Sequence, residues 1–256
     1  MCGRIDACMK AVILAAGRGR RMSHATTRIP KCMTLLWNRP LLEYQLCAIE
    51  ESGIKDVSIV CGYKMNSICV NNVSYFRNSH WKTTNMVASM MCAREKLISD
   101  ACIISYSDIV YNACALKKLM NSEQPISILY MTKWEKIWRL RFENPLLDVE
   151  SFKINQDGRI YEIGKRTKNI EEIQGQYIGL IKIMPLGFDL LEKTYNRLSL
   201  LERRHIDMTS LLSLMIDKSI DIYGIPYDGI CLEVDRQEDV NIYESKGDMD
   251  YWFRKK

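Results

Sequence analysis

Between residues 11 and 131 short apolar runs are interspersed with stretches of helical periodicity. The apolar runs are AVILAA (11–16) closing on Gly17, DVSIVCGY (56–63), VSYF (73–76), ACIISYSD (101–108) and ISILYM (126–131). Runs this short and this uniformly apolar suit strands buried on both faces. Between them, Leu42, Leu46 and Ile49 predict a helix over 40–52 that stops at Gly53. Met86, Val87, Met90, Met91 and Leu97 predict another from an N-cap at Thr84. Strands and helices interspersed in this way predict an α/β fold, with a mostly parallel, doubly wound Rossmann-like sheet covered by helices on both faces.

Past residue 131 the pattern changes. VESFKI (149–154) and RIYEIGK (159–165) flank Gln156-Asp157-Gly158, whose Asp-Gly pair is a hairpin signal. QYIGLIKIM (176–184) reads as a further strand, with helices near 187–197 and 207–217. SIDIYGIPY and ICLEVD are expected to close the sheet, and RQEDVNIYE to form a final helix. No repeat or long linker interrupts the chain, so we expect one domain over 9–256. Segment 132–175 would form a small hairpin-containing lobe, a lid or acceptor-side insertion, and residues 1–8 would lie outside the ordered fold.

Composition excludes several classes of function. The formal charge of +5 is spread out, with no block of five basic residues, so neither a nucleic-acid nor a membrane patch is expected. AVILAA is far too short to span a bilayer, and MCGRIDAC is too polar and short for a secretory signal. The ten cysteines contain no CxxC pair and no metal-ligand spacing with His24, His80 or His205. Several, such as Cys61 and Cys102, sit in apolar runs as small hydrophobes, which predicts free thiols and a cytoplasmic protein. The histidines have no nucleophile or carboxylate partner in the sequence, and none is expected to be catalytic.

The most informative segment follows the first strand: Leu14, Ala15, Ala16, Gly17, Arg18, Gly19, Arg20, Arg21, with Pro30-Lys31 beginning nine residues after Arg21. Glycines there let backbone N–H groups turn toward an anion. The spacing is neither the P-loop nor the three-glycine dinucleotide pattern. LAAGRGRRMSHATTRIPKCM (14–33) resembles the opening of the sugar-phosphate and choline-phosphate nucleotidyltransferases, enzymes with a GT-A-like Rossmann fold. That resemblance implies a glycine loop around a nucleoside triphosphate, with charge neutralised by Arg21 and Lys31. The extra arginines at 18 and 20 depart from the family pattern, so Arg20 and Arg21 are both candidates for the loop arginine. It also implies a Mg2+ cofactor on two strand-end carboxylates, Asp108 of Ser107-Asp108 and Asp235 of Glu233-Val234-Asp235. No DxD motif of a glycosyltransferase stands on the relevant strand.

SYSDIVY (105–111), RFENPLLDVESFK (141–153), EIGKR (162–166), GQYIGL (175–180) and DMTSLL (207–212) look like the phosphocholine cytidylyltransferase branch. That branch includes enzymes of capsule modification acting on glutamine phosphate, and others acting on aminoethylphosphonate. It implies CTP as donor, a small phosphorylated or phosphonate acceptor, and a CDP-linked product with release of pyrophosphate. Gly62, Asn85 and Ser107 are the further nucleotide candidates, Asn85 being equally a helix cap. Lys165 corresponds to a lysine that approaches the acceptor phosphate. Trp134 and Trp138, one helical turn apart, suit either a quaternary ammonium or helical packing. Arg139 and Arg141 suit a carboxylate. Asp148 and Glu150 suit an amine, and Gln176 and Tyr177 join them as acceptor candidates. All three acceptors stay open, a carboxylate-bearing one slightly favoured by the NPLLD and GQYIGL likeness. The rival readings are a sugar-1-phosphate uridylyl- or thymidylyltransferase and an inactive nucleotide-binding regulator; a homodimer is also open.

Overall fold

The structure is a computed structural model, and it describes residues 9–22 and 26–253. The expectations for residues 1–8 and for His24 lie outside the described residues. In chain order the first half forms β1 (Lys10–Ala15), β2 (Leu35–Leu36), β3 (Arg39–Pro40), α1 (Leu41–Ser52), β4 (Asp56–Cys61), β5 (Ser74–Arg77), α2 (Met86–Cys92), α3 (Arg94–Ser99), β6 (Cys102–Tyr106), β7 (Ile109–Val110), α4 (Ala113–Met120) and β8 (Ile126–Met131). The second half forms α5 (Trp134–Arg141), β9 (Glu150–Ile154), β10 (Ile160–Arg166), β11 (Gln176–Ile183), α6 (Pro185–Asn196), α7 (Leu200–His205), α8 (Met208–Asp217), β12 (Tyr223–Tyr227), β13 (Leu232–Glu233), α9 (Gln237–Lys246) and α10 (Met249–Phe253).

Seven strands make the central sheet in the order β12-β8-β11-β6-β1-β4-β5. β1 runs parallel to β4 and β6, β4 to β5 and β8 to β12, whereas β11 is antiparallel to both β6 and β8. The alternation within β1 shows how the apolar runs work. Ala11, Ile13 and Ala15 face a core shared with α1, α4, α5 and α9. Val12 and Leu14 face the opposite core, shared with α2, α3, α6 and α8. A strand wetted on neither side leaves no position for a polar residue.

Three local expectations change. The helix read from Thr84 to Leu97 is two helices that meet at Ala93. Its N-cap is Asn85, whose side-chain oxygen accepts from Met86 N at 2.8 Å, because the Thr84 hydroxyl already donates to His80 O at 2.9 Å. ICLEVD does not close the sheet: β12 occupies the edge beside β8, and β13 pairs instead with β7 in a separate two-residue antiparallel ladder.

The β9–β10 hairpin is antiparallel and turns at 155–158. It is bonded into the main body through Ile160 N to Ile222 O and Gly224 N to Gly158 O, each at 2.9 Å. The eight described cysteines are all free; Cys32, Cys61, Cys102 and Cys231 are buried, and Cys69 and Cys114 are exposed. No helix among the described residues is long and apolar enough to cross a membrane.

The start of α6 lies so close to the backbone before β8 that a Cβ on Gly187 would stand 2.2 Å from Pro125 O. Gly187→Ala gains up to about 1 kcal/mol of helix propensity. Overpacking against a backbone oxygen costs about 1–3 kcal/mol and outweighs it. The expected outcome is a lower midpoint in thermal unfolding, and an unchanged midpoint would show that α6 can slide.

Candidate active site

The loop after β1 is shaped around one lysine. Gly19 has φ +69°, in the left-handed region, and a Cβ on it would meet Lys31 Cβ at 2.7 Å. Glycine is therefore needed there twice over, for its backbone and for the lysine stem lying against it. Met22 N and the Thr26 hydroxyl both donate to Gly19 O at 3.0 Å, which fixes the turn. Lys31 enters from a short helical turn after Pro30 and is buried. Its ammonium lies 2.5 Å from Asp108 Oδ2 and 2.5 Å from Asp235 Oδ1.

The two aspartates reach each other through backbone pairing. β7 and β13 set Ile109 opposite Glu233 and Val110 opposite Leu232, and Val234 N donates to Asp108 O at 2.8 Å. Arg21 approaches from the open side, its Nη2 2.9 Å from Asp235 Oδ1, with 63% of its side chain exposed. Arg141 approaches from behind, 0% exposed, bonding Glu233 at 2.7 Å, Asp239 at 3.1 Å and Asp235 at 3.4 Å. Asp239 in turn accepts from the backbone N–H groups of Asp235 and Arg236, both at 2.9 Å.

Burial disfavours charge on Lys31, but Asp108 and Asp235 reverse this and raise its pKa. Burial likewise opposes charge on Asp235, and Lys31, Arg21 and Arg141 overcome it and hold the carboxyl low. Glu233 differs: burial first, then the charge of Asp235, push it up to about 7.

This arrangement fits a hard divalent cation. Asp108 Oδ1 is buried with no hydrogen-bond partner, and carboxylate oxygens are the ligands magnesium prefers. Asp108 and Asp235 are the residues that could hold it, with the Lys31 ammonium lying between them. No group of three or more His, Cys, Asp or Glu side chains suited to a metal occurs among the described residues. Further ligands would therefore be phosphate oxygens and water.

Two cavities adjoin this centre. One, of about 200 Å³, is lined by Leu14, Ala16, Gly17, Gly19, Lys31, Asn85, Ser107 and Asp108, with Trp81, Thr84, Met86, Ser89 and Tyr106 completing it. The other, of about 290 Å³, takes in Arg21, Trp138, Asp148, Glu150, Gln176, Tyr177, Asp207, Glu233 and Asp235. Met86 and Tyr106 line both and form the wall between them.

Several residues singled out from the sequence lie elsewhere. Ala15 faces the α1 core. Arg18 lies over the Tyr63 ring at 5.5 Å, and neither it, Arg20 nor Gly62 lines either of these two cavities. A Cβ on Gly62 would meet Trp81 Cβ at 2.6 Å, so this glycine admits Trp81 to the cavity wall. Asn85 lines the smaller cavity, but its side chain caps α2 and donates to His205 O at 3.2 Å. Trp134 packs edge-on behind Trp138 at 6.2 Å. Lys165 is 60% exposed, bonds Glu162 at 3.4 Å and lines neither cavity. Trp81, Tyr106 and Asp207 are among the lining residues that sequence reading did not single out. Tyr106 and Asp207 lay within stretches that carried the family likeness, Asp207 also at a cap position before a helix, and for Trp81 there was no signal.

Among the described residues, Arg141 is the only cation bonded to both Glu233 and Asp239. Arg141→Met leaves their charges buried without it, and is expected to lower stability by about 3–5 kcal/mol. Denaturant unfolding measures this; a change below about 1 kcal/mol would mean that the carboxylates find other partners.

Residues 11–152 match the family of MobA-like NTP transferase domains. Over 258 aligned residues the chain is 33% identical to CTP:phosphoglutamine cytidylyltransferase of Campylobacter jejuni subsp. jejuni serotype O:2, spanning 93% of this chain and 100% of that protein. Two solved structures share the fold. CTP:phosphocholine cytidylyltransferase from Streptococcus pneumoniae superposes with TM-score 0.69 at 19% identity, over 93% of this chain and 98% of its own. The inositol-1-phosphate CTP transferase from T. maritima does so with TM-score 0.73 at 18% identity, over 93% and 96%.

Proposed function

The chain belongs to the family of MobA-like NTP transferase domains, and from that membership we propose that it is a magnesium-dependent cytidylyltransferase. It transfers CMP from CTP to a small phosphorylated or phosphonate acceptor. The observation that carries the reading is the Lys31 ammonium set between Asp108 and Asp235 beneath the glycine loop, with a cavity on either side of Tyr106. The full-length likeness to a CTP-dependent relative supports CTP as the donor.

The chemistry asks for positioning and charge neutralisation. CTP occupies the smaller cavity, its triphosphate on the loop of Gly17 and Gly19. The acceptor occupies the larger one, and its phosphate or phosphonate oxygen attacks the α-phosphorus. A new P–O bond forms as the α–β P–O bond breaks, and pyrophosphate leaves with the bonding electrons. Lys31 and Arg21 are the cations at the junction of the two cavities, where two anions must be brought together. An arriving triphosphate competes with the aspartates for the Lys31 ammonium. Asp108 and Asp235 would hold magnesium, which would supply charge neutralisation at the α-phosphate of the transferred nucleotidyl group. Arg141 acts from behind by holding Asp235 and Asp239 in place.

Pyrophosphate release across CTP, UTP, dTTP, ATP and GTP with pooled acceptors is expected to favour CTP. A preference for UTP or dTTP would replace this reading with sugar-1-phosphate transfer, and chelation is expected to abolish release until magnesium is restored. Asp108→Asn keeps the shape of the side chain and is expected to melt like the parent. Its turnover falls by about 10²-fold or more, the scale on which losing one preorganised electrostatic contact acts. Near-parental turnover would remove Asp108 from the site.

A further inference from the structure

The larger cavity is electrically lopsided. Its one lining cation, Arg21, lies at the Asp235 end. Three carboxylates, Asp148, Glu150 and Asp207, line it as well, and the groups that bond them are neutral. Trp138 Nε1 donates to Asp148 Oδ2 at 3.0 Å. Ser210 N and the Thr209 hydroxyl donate to Asp207 Oδ1 at 2.8 and 3.2 Å. The Glu150 carboxyl is pushed up by burial and then by the charges of Asp207 and Asp148. Among the described residues no salt bridge reaches any of the three. Beside them the Tyr177 hydroxyl lines the same cavity and is buried without a hydrogen-bond partner. Three carboxylates gathered at one end of a cavity, with Arg21 at the other end and only Arg166 acting on Glu150 from the paired strand, call for a cationic ligand.

The rings and arginines nearby narrow the kind of cation. A quaternary ammonium needs open aromatic faces. Here Arg141 already lies over the Trp138 ring at 5.4 Å, and Tyr106 and Tyr177 pack edge-to-face on each other at 5.8 Å. Carboxylate oxygens instead call for N–H donors. The arginines that would suit an acceptor carboxylate are committed, Arg139 to Glu135 at 2.5 Å and Arg141 to its three acids. Resting on the cytidylyl-transfer reading, we propose that the acceptor ends in a protonated primary amine, held through its N–H groups by Asp148, Glu150 and Asp207. No quaternary ammonium or carboxylate is recognised there. The acceptor is thus a small zwitterion, its phosphate or phosphonate toward Arg21 and its amine toward α8.

The test uses the full-length protein with CTP and magnesium, and one acceptor at a time: 2-aminoethylphosphonate, phosphoethanolamine, phosphocholine, O-phosphoserine or ethyl phosphate. The better primary-amine acceptor is expected to exceed phosphocholine and ethyl phosphate in kcat/KM by at least about ten-fold, as loss of a charged hydrogen bond implies. O-phosphoserine should gain nothing over phosphoethanolamine from its carboxylate. Asp207→Asn keeps the capping oxygen; it should raise KM for the amine acceptor by about ten-fold and leave KM for CTP and for ethyl phosphate unchanged. Equal or better use of phosphocholine or ethyl phosphate would overturn the proposal with cytidylyl transfer intact, as would a gain from the carboxylate. If no acceptor is turned over, the transfer reading fails. Calorimetry then still decides the amine: 2-aminoethylphosphonate should bind about ten-fold more tightly than ethylphosphonate, and equal affinity overturns it.

Discussion

A single ammonium group between two carboxylates organises this molecule. Lys31 meets Asp108 across 77 residues and Asp235 across 204. Three segments far apart in the sequence thereby meet at one point, two of them already paired through the β7–β13 ladder. Two carboxylates so close, Asp235 buried and Asp108 half-buried, would repel each other without a cation. Much of the surrounding structure holds that cation where it is. Gly19 gives up a side chain so that the lysine stem can lie flat, and Arg141 fills the space behind with a second, permanent positive charge.

The two basic groups differ in kind. Arg141 is sealed among its acids and stays charged because Glu233 and Asp239 outweigh the cost of burial. Arg21 is mostly exposed and has one carboxylate to hold it. The inner cation belongs to the scaffold; the outer one lies where an anionic ligand would arrive. Tyr106 stands between the two cavities, so molecules on its two sides would meet only near Asp108 and Asp235.

Much of this was legible in the sequence, for identifiable reasons. The uninterrupted apolar runs predicted strands covered on both faces, and the opposed cores of β1 are the physical form of that pattern. Gly17, Gly19, Lys31, Asp108 and Asp235 were singled out through the likeness of their motifs to a known family, and the structure brings them to one junction. The β7–β13 ladder was not, since two residues per strand leave no periodicity to read. Arg141 looked like an acceptor ligand because its sequence neighbours are aromatic and basic, whereas its partners Glu233, Asp235 and Asp239 lie more than ninety residues away. Cavity walls such as Trp81 and Asp207 depend on how loops meet, and local pattern carries little of that.

The short ladder between β7 and β13 sets the order in which the site can come into being. Synthesis delivers the glycine loop first, then Asp108, and only after more than a hundred further residues the segment bearing Asp235. A nascent chain halted before Leu232 would own the glycine loop and one of the two acids, with Lys31 leaning on Asp108 alone. The charged junction is therefore incomplete until the segment from Leu232 has left the ribosome and folded against β7.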